Sequence, residues 1–182
     1  MIELDYRYGL DRLARLVEPV AASRYSIVYL GVRDIPASRY GYRTYEGSLK
    51  GLGAAMREGF AELRRQCASQ GILPAGDPIA VYVRTNIKLQ TTLCRMGMPL
   101  GDAAVDGLPV GEIPAHRAYV VRLQGSYAAM EVAWYHAMQR MRIETIQPDQ
   151  RVPPFERYLN DPDKTPENDY LTELHIPVRH TP

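Results

Sequence analysis

VRDIPASRYGYRTYEGSL fills residues 32–49, and VGEIPAHRAYVVRLQGSY fills residues 110–127. At a constant offset of 78 residues, Val32, Ile35, Pro36, Ala37, Arg39, Gly47 and Ser48 recur as Val110, Ile113, Pro114, Ala115, Arg117, Gly125 and Ser126, while Asp34 and Glu112 keep the charge. An ungapped match over eighteen positions marks an internal duplication. Two similar units in one chain form a pseudo-two-fold pair, and the seam between them is a natural place for a ligand.

Each repeated stretch leads into helical periodicity. In LKGLGAAMREGFAELRRQCASQG, Leu52, Met56, Phe60 and Leu63 fall at helical spacing, and Gly71 follows as a C-terminal cap. In the second unit Met130, Trp134, Met138 and Met141 form the corresponding stripe. Ser48 and Ser126 stand where N-caps belong. Beyond the helices the units match again: DPIAVYV (77–83) sets Pro78 and Tyr82 against Pro154 and Tyr158 of PPFERYL (153–159), and TLCRMGMPLG (92–101) sets Pro99 against Pro177 of TELHIPV (172–178). These read as strands. The expectation is an α+β fold of two pseudo-symmetric βαββ modules, about 27–101 and about 106–180, sharing a curved antiparallel sheet with helices on one face and a ligand groove on the other. Residues 1–26 form an N-terminal extension outside the repeat, in which LDYRYGLDRLARLVEP has the pattern of one amphipathic helix.

Strand alternation selects candidate groove residues. Placing Phe155 under the helices sends Glu156 and Tyr158 to the opposite face. Placing Leu174 and Ile176 there sends Glu173 and His175 to that same opposite face. Ile79 and Val81 as core leave Tyr82 outward, and Arg95 is the positional twin of Glu173. Tyr walls over a carboxylate suit an amphipathic or aromatic cation through stacking, cation–π attraction and charge pairing. An outward Tyr is more often sheet-face filler, Trp134 at helical spacing more often core, and Glu173 more often an ion-pair partner, with Arg95 or Arg157 as its mate. Glu173 and His175, at i and i+2, share a face and can form a dyad.

Bulk properties bound the function. The 182 residues carry 22 Lys+Arg against 21 Asp+Glu, a formal net charge of +1, so no basic excess calls for a nucleic-acid partner. The charge is polarised: residues 1–100 hold 14 basic and 9 acidic side chains, residues 101–182 hold 8 and 12 with all four histidines. Two cysteines without metal-type spacing read as free thiols, and no leader or membrane-length apolar run stands in the sequence, so a cytoplasmic protein is expected. Thirteen Tyr against two Phe and one Trp suit a half-wet surface or pocket. Zinc, P-loop and nucleophile-elbow motifs are missing from the sequence, and GLGAAMREG (51–59) opens within a helix rather than after a strand. No metal or cofactor is expected.

The segment PPFERYLNDPDKTPENDYLTELHIPV (153–178), with the IPA-x-R and Gly-Ser elements of both units, resembles GyrI-like domains, which also serve as effector-binding halves of AraC- and MerR-type bacterial regulators. The resemblance implies two βαββ modules with a ligand groove and multidrug-type binding of cations. It implies a buried Glu at the position of Glu173 and aromatic groove residues at Tyr82, Tyr158 and, by a looser match, Trp134. About thirty residues precede the domain, where such a regulator carries its DNA-binding region, so a stand-alone member is expected. Three functions follow: a binder of amphipathic cationic or aromatic small molecules using Glu173, Glu156, Tyr158, Tyr82, His175 and Trp134; a hydrolase of strained cyclopropane electrophiles, with Glu173 or Glu156 as general base and Tyr158 positioning the substrate or donating a proton; or a gyrase-type protein inhibitor, for which the polar loop 160–169 is the candidate contact.

Overall fold

The computed structural model describes residues 24–179, so the helical pattern expected near the N-terminus lies outside the described residues. Eight strands are present: β1 (Ser26–Ile35), β2 (Ser38–Ser48), β3 (Ile79–Asn86), β4 (Thr91–Pro99), β5 (Val110–Ile113), β6 (His116–Gln124), β7 (Phe155–Tyr158) and β8 (Leu171–Pro177). Two helices, α1 (Leu49–Ser69) and α2 (Met130–Ile143), follow β2 and β6. The strands form one antiparallel sheet in the order β1-β6-β8-β7-β3-β4-β2-β5. Exchanging the two units reverses this order onto itself, so the pseudo-two-fold axis passes between β3 and β7. The α+β architecture expected from the duplication is the one observed, with an extra leading strand in each unit.

The leading strands exchange: β1 of the first unit pairs with β6 of the second, and β5 pairs with β2. β1 and β2 are therefore six strand positions apart, about 29 Å in a flat sheet. Only Pro36 and Ala37 separate them, and the three Cα steps from Ile35 to Ser38 reach at most about 11 Å. The sheet must curl until its edges meet. At that corner Ile35 pairs with His116 and Ser38 with Ile113, so β1–β2 and β5–β6 are two long bent strands crossing at the repeated Ile-Pro-Ala. Proline suits the bend, having no N–H to give a ladder. The repeated acid and arginine fall opposite one another across the corner, Asp34 with Arg117 and Arg39 with Glu112.

Curling creates two cores. Both helices pack on the outer face: α1 buries Leu52, Phe60, Leu63 and Cys67 against Ala80, Cys94, Met96 and Met98. α2 buries Val132, Ala133, Ala137 and Met141 against Tyr119, Val121, Leu123 and Leu174. The expected α2 stripe is rotated, for Met138 is 43% exposed and small Ala133 and Ala137 take the contact, letting the helix approach closely. Inside the curl, Ile35, Tyr40, Ile79, Val81, Ile113, Ala118, Val120 and Phe155 form the second core, to which no helix among the described residues contributes. Tyr40 fits because Gly97 lies beneath it: a Cβ there would stand 2.5 Å from the ring. The cap expected of Ser48 is made, its Oγ accepting from the Gly51 N–H (3.1 Å), and Gly71 at φ +67° ends α1. Ser126 Oγ accepts from the Ala128 N–H (3.2 Å) but caps a short 3-10 turn, Tyr127–Ala129, so α2 begins at Met130 without the serine cap expected for it.

Candidate functional site

The pairing register separates the predicted groove residues into two groups. Across β7 and β8, Glu156 stands opposite Leu174 and Phe155 opposite His175. Across β3 and β7, Ala80 stands opposite Glu156 and Val81 opposite Phe155. Glu156, Tyr158, Ala80 and Tyr82 thus share the helix-bearing face with Leu174, while Phe155, Ile79, Val81, Glu173 and His175 point into the curl. The alternation reading had β7 and β3 inverted. It assumed a single apolar face, whereas the second core claims Phe155, Ile79 and Val81.

On the helix-bearing face, Glu156 is 2% exposed and is the centre of a polar cluster where the two units meet. Its Oε1 accepts from the Tyr82 hydroxyl (2.9 Å) and the Trp134 indole N–H (2.7 Å); its Oε2 accepts from the Tyr158 hydroxyl (2.6 Å). Tyr82 and Tyr158, twins in the repeat, therefore grip one carboxylate from opposite sides. Tyr82 and Trp134 meet edge to face at 5.8 Å. Tyr158 packs against Phe60 of α1 at 5.5 Å, and its hydroxyl lies 3.6 Å from the Met56 sulfur. A ladder of rings continues outward, Tyr158 to Tyr127 at 5.7 Å and Tyr127 to Tyr170 at 4.8 Å.

Every donor to Glu156 among the described residues is neutral. Among the described residues, no Lys, Arg or His forms an ion pair with it. Burial raises its carboxyl above the usual range, and the hydrogen bonds of Tyr158, Trp134 and Tyr82 offset only part of this. Burial and then the Glu156 charge hold both Tyr82 and Tyr158 well above the ordinary phenol value, so both remain donors. Beneath them the same two causes push the Cys94 thiol up to about 12.

Glu173 has a different environment. It accepts from Arg122 Nη2 at 2.7 Å and Nε at 3.2 Å, and His175 Nε2 lies 3.3 Å from its other oxygen. Arg122 is its register neighbour on β6 and takes the partner role expected of Arg95 or Arg157. Arg95 lies instead over the Tyr42 ring at 4.5 Å, and Arg157 over Phe155 at 6.0 Å. His175 first, and then Arg122, hold Glu173 down at about 2, and its charge is already matched. His175 stacks on Phe155 with centroids 4.4 Å apart, and burial lowers its pKa. The expected Glu173–His175 proximity is present, on the opposite side of the sheet from Glu156.

Met56, Phe60, Tyr127 and Tyr170 were not singled out for the site in the sequence. Tyr127 follows the cap serine of the second repeat and is the nearest thing to a signal. The loop 160–169 is tied down on both sides, Arg64 of α1 to Asp163 at 3.4 Å and Ser126 to Glu167. Among the described residues, no helix is long and apolar enough to cross a membrane, and no cluster of three metal-ligating side chains occurs.

The sequence model of the GyrI-like small molecule binding domain matches residues 74–179, more than half of the chain. The chain belongs to this family. No curated protein matches its sequence. Solved structures share the GyrI-like fold at low identity. The EcmrR C-terminal domain is 15% identical with a TM-score of 0.66, over 86% of this chain and 99% of that one. SAV2435 bound to tetraphenylphosphonium is 14% identical with a TM-score of 0.57, over 84% and 94%. A hydrolase from Listeria innocua is 13% identical with a TM-score of 0.50, over 86% and 92%.

Proposed function

We propose that this GyrI-like domain binds amphipathic cations on the helix-bearing face, with Glu156 as the counter-charge. The observation that carries the reading is a carboxylate 2% exposed, held by three neutral donors and by no cation among the described residues. A buried charge left in that condition is costly. A cation entering between α1 and α2 supplies the missing charge, while Trp134, Tyr82 and Tyr158 offer ring faces to its apolar body. Glu173 is a poor candidate for this task, since Arg122 has already neutralised it. Glu156 is covered by its neighbours, so entry requires the Tyr and Trp side chains to turn aside. Tetraphenylphosphonium, the ligand of the SAV2435 structure, is a suitable probe. Titration calorimetry should show tetraphenylphosphonium binding and tetraphenylborate, its anionic isostere, not. Equal binding of the two would remove the carboxylate from the explanation and leave only greasy contact.

A second reading uses the same residues. A carboxyl raised by burial, 2.6 Å from a tyrosine hydroxyl, also suits general-base activation of water against an electrophile. Turnover of a cyclopropane-containing alkylating agent that is lost in Glu156→Gln supports it. Stoichiometric protection without product rejects it.

A further inference from the structure

The site straddles a pseudo-two-fold axis, and its two halves are chemically unequal. Ala80 and Glu156 occupy equivalent places in the two units and face each other across β3 and β7. Met56 of α1 is the twin of Trp134 of α2. Of the side chains around Glu156, Tyr82 and Tyr158 are a pair that the duplication left alike. The α2 half therefore holds a carboxylate, an indole and a phenol around one point. The α1 half presents Ala80, Met56, Phe60, Cys94 and the Tyr158 phenol, with no charged group among them. The acidic side chains of the middle of α1, Glu58 and Glu62, lie elsewhere, lining an open depression of about 260 Å³ beside Arg43 and Tyr45. Glu62 is also held by Arg65.

We infer that the site selects monocations, seating the charge beside Glu156 in the α2 half and an uncharged apolar body in the α1 half, and that it rejects compact dications. This rests on the cation reading of Glu156 and adds which cations it takes. One carboxylate neutralises one positive charge. A second charge carried one ring farther on would be stripped of water among Met56, Phe60 and Ala80 without a partner, and an unpaired buried charge is strongly unfavourable. Soft Met56 and the flat Phe60 ring suit a hydrocarbon or aryl body instead.

A matched pair of probes reads this directly. 1-Methyl-4-phenylpyridinium and 1,1′-dimethyl-4,4′-bipyridinium have nearly the same two-ring shape and differ in the second charge. Calorimetric titration of the full chain should show the monocation binding at least tenfold tighter than the dication. Met56→Glu, which supplies the absent carboxylate from a partly buried helix position, should narrow or reverse that ratio. Dication binding equal to or tighter than monocation binding in the wild type overturns the inference while leaving the cation site standing, provided that Glu156→Gln still removes monocation binding. Monocation binding that is absent, or that survives Glu156→Gln, overturns the cation reading and this inference together. The wild-type ratio decides the matter even where Met56→Glu does not fold.

Discussion

Replacing Glu156 with Gln keeps the side chain's shape and removes its charge, which separates electrostatic recognition from packing. A cation seated about 4 Å from a carboxylate at an effective dielectric of about 20 gains about 4 kcal/mol. Part of this is spent in desolvating the ligand, leaving a net of about 2–3 kcal/mol, or roughly 30- to 150-fold in affinity. At a ligand concentration of about 100 Kd the wild type gains about 2.7 kcal/mol of stability. For a chain of this size that is a rise in Tm of about 5–11 °C. At the same concentration the variant, about 100-fold weaker, sits near its own Kd and gains about 0.4 kcal/mol, or about 1–2 °C. Without ligand, the amide oxygen of Glu156→Gln still accepts from Tyr82 and Trp134, while its NH2 takes the place of the oxygen that accepted from Tyr158 and donates to that hydroxyl instead. The assay is thermal unfolding with and without tetraphenylphosphonium. A ligand-induced shift that is the same in both proteins would refute the reasoning, since nothing else in the cluster is ionised.

Three further outcomes follow from the same geometry. The Glu156 carboxyl is raised in the folded state, so it binds its proton more tightly there than in the unfolded chain; its favourable contribution is present at low pH and is lost as pH rises from the ordinary carboxylate value of 4.5 through the raised one. Urea unfolding at pH 4, 6 and 8 should therefore show Glu156→Gln gaining on wild type as pH rises, and a pH-independent difference would contradict this. Glu173 has the opposite sign: held at about 2, it stabilises above the ordinary value and stops doing so as pH falls toward about 2. Arg122→Ala should cost about 1 kcal/mol at pH 7, the scale of a partly exposed pair, and leave the tetraphenylphosphonium response unchanged; loss of that response would return Glu173 to the binding site. Gly97→Ala drives a Cβ to 2.5 Å from the buried Tyr40 ring, so it should lower stability by about 1–3 kcal/mol in denaturant melts, and a neutral effect would mean that the curl is looser than described.

The extra leading strand of each unit and the turn that parts Ser126 from α2 were not legible in the residues, whereas the repeated stretch, the two helices, the three strands expected in each unit and membership of the GyrI-like family were. Each depends on short-range pattern: a repeated Ile-Pro-Ala, a serine before a helical stripe, a glycine after it. Tyr82, Tyr158, Trp134 and Glu156 were also legible as candidates, because twin tyrosines at matched places in two repeats stand out without coordinates. What they do together was not. Which face β7 presents depends on how many apolar faces the sheet has, and a sheet curled by a two-residue corner has two. Phe155 went inward, and that alone carried Glu156 to the helices and separated it from Glu173. The partner of Glu173 was hidden for a related reason: Arg122 is 51 residues away and becomes a neighbour only through β6–β8 pairing. By itself the sequence determined the units and their symmetry, since local propensity and repetition need no third dimension. Only the tertiary structure decided which carboxylate is left without a counter-charge, because burial and ion pairing are properties of what surrounds a side chain.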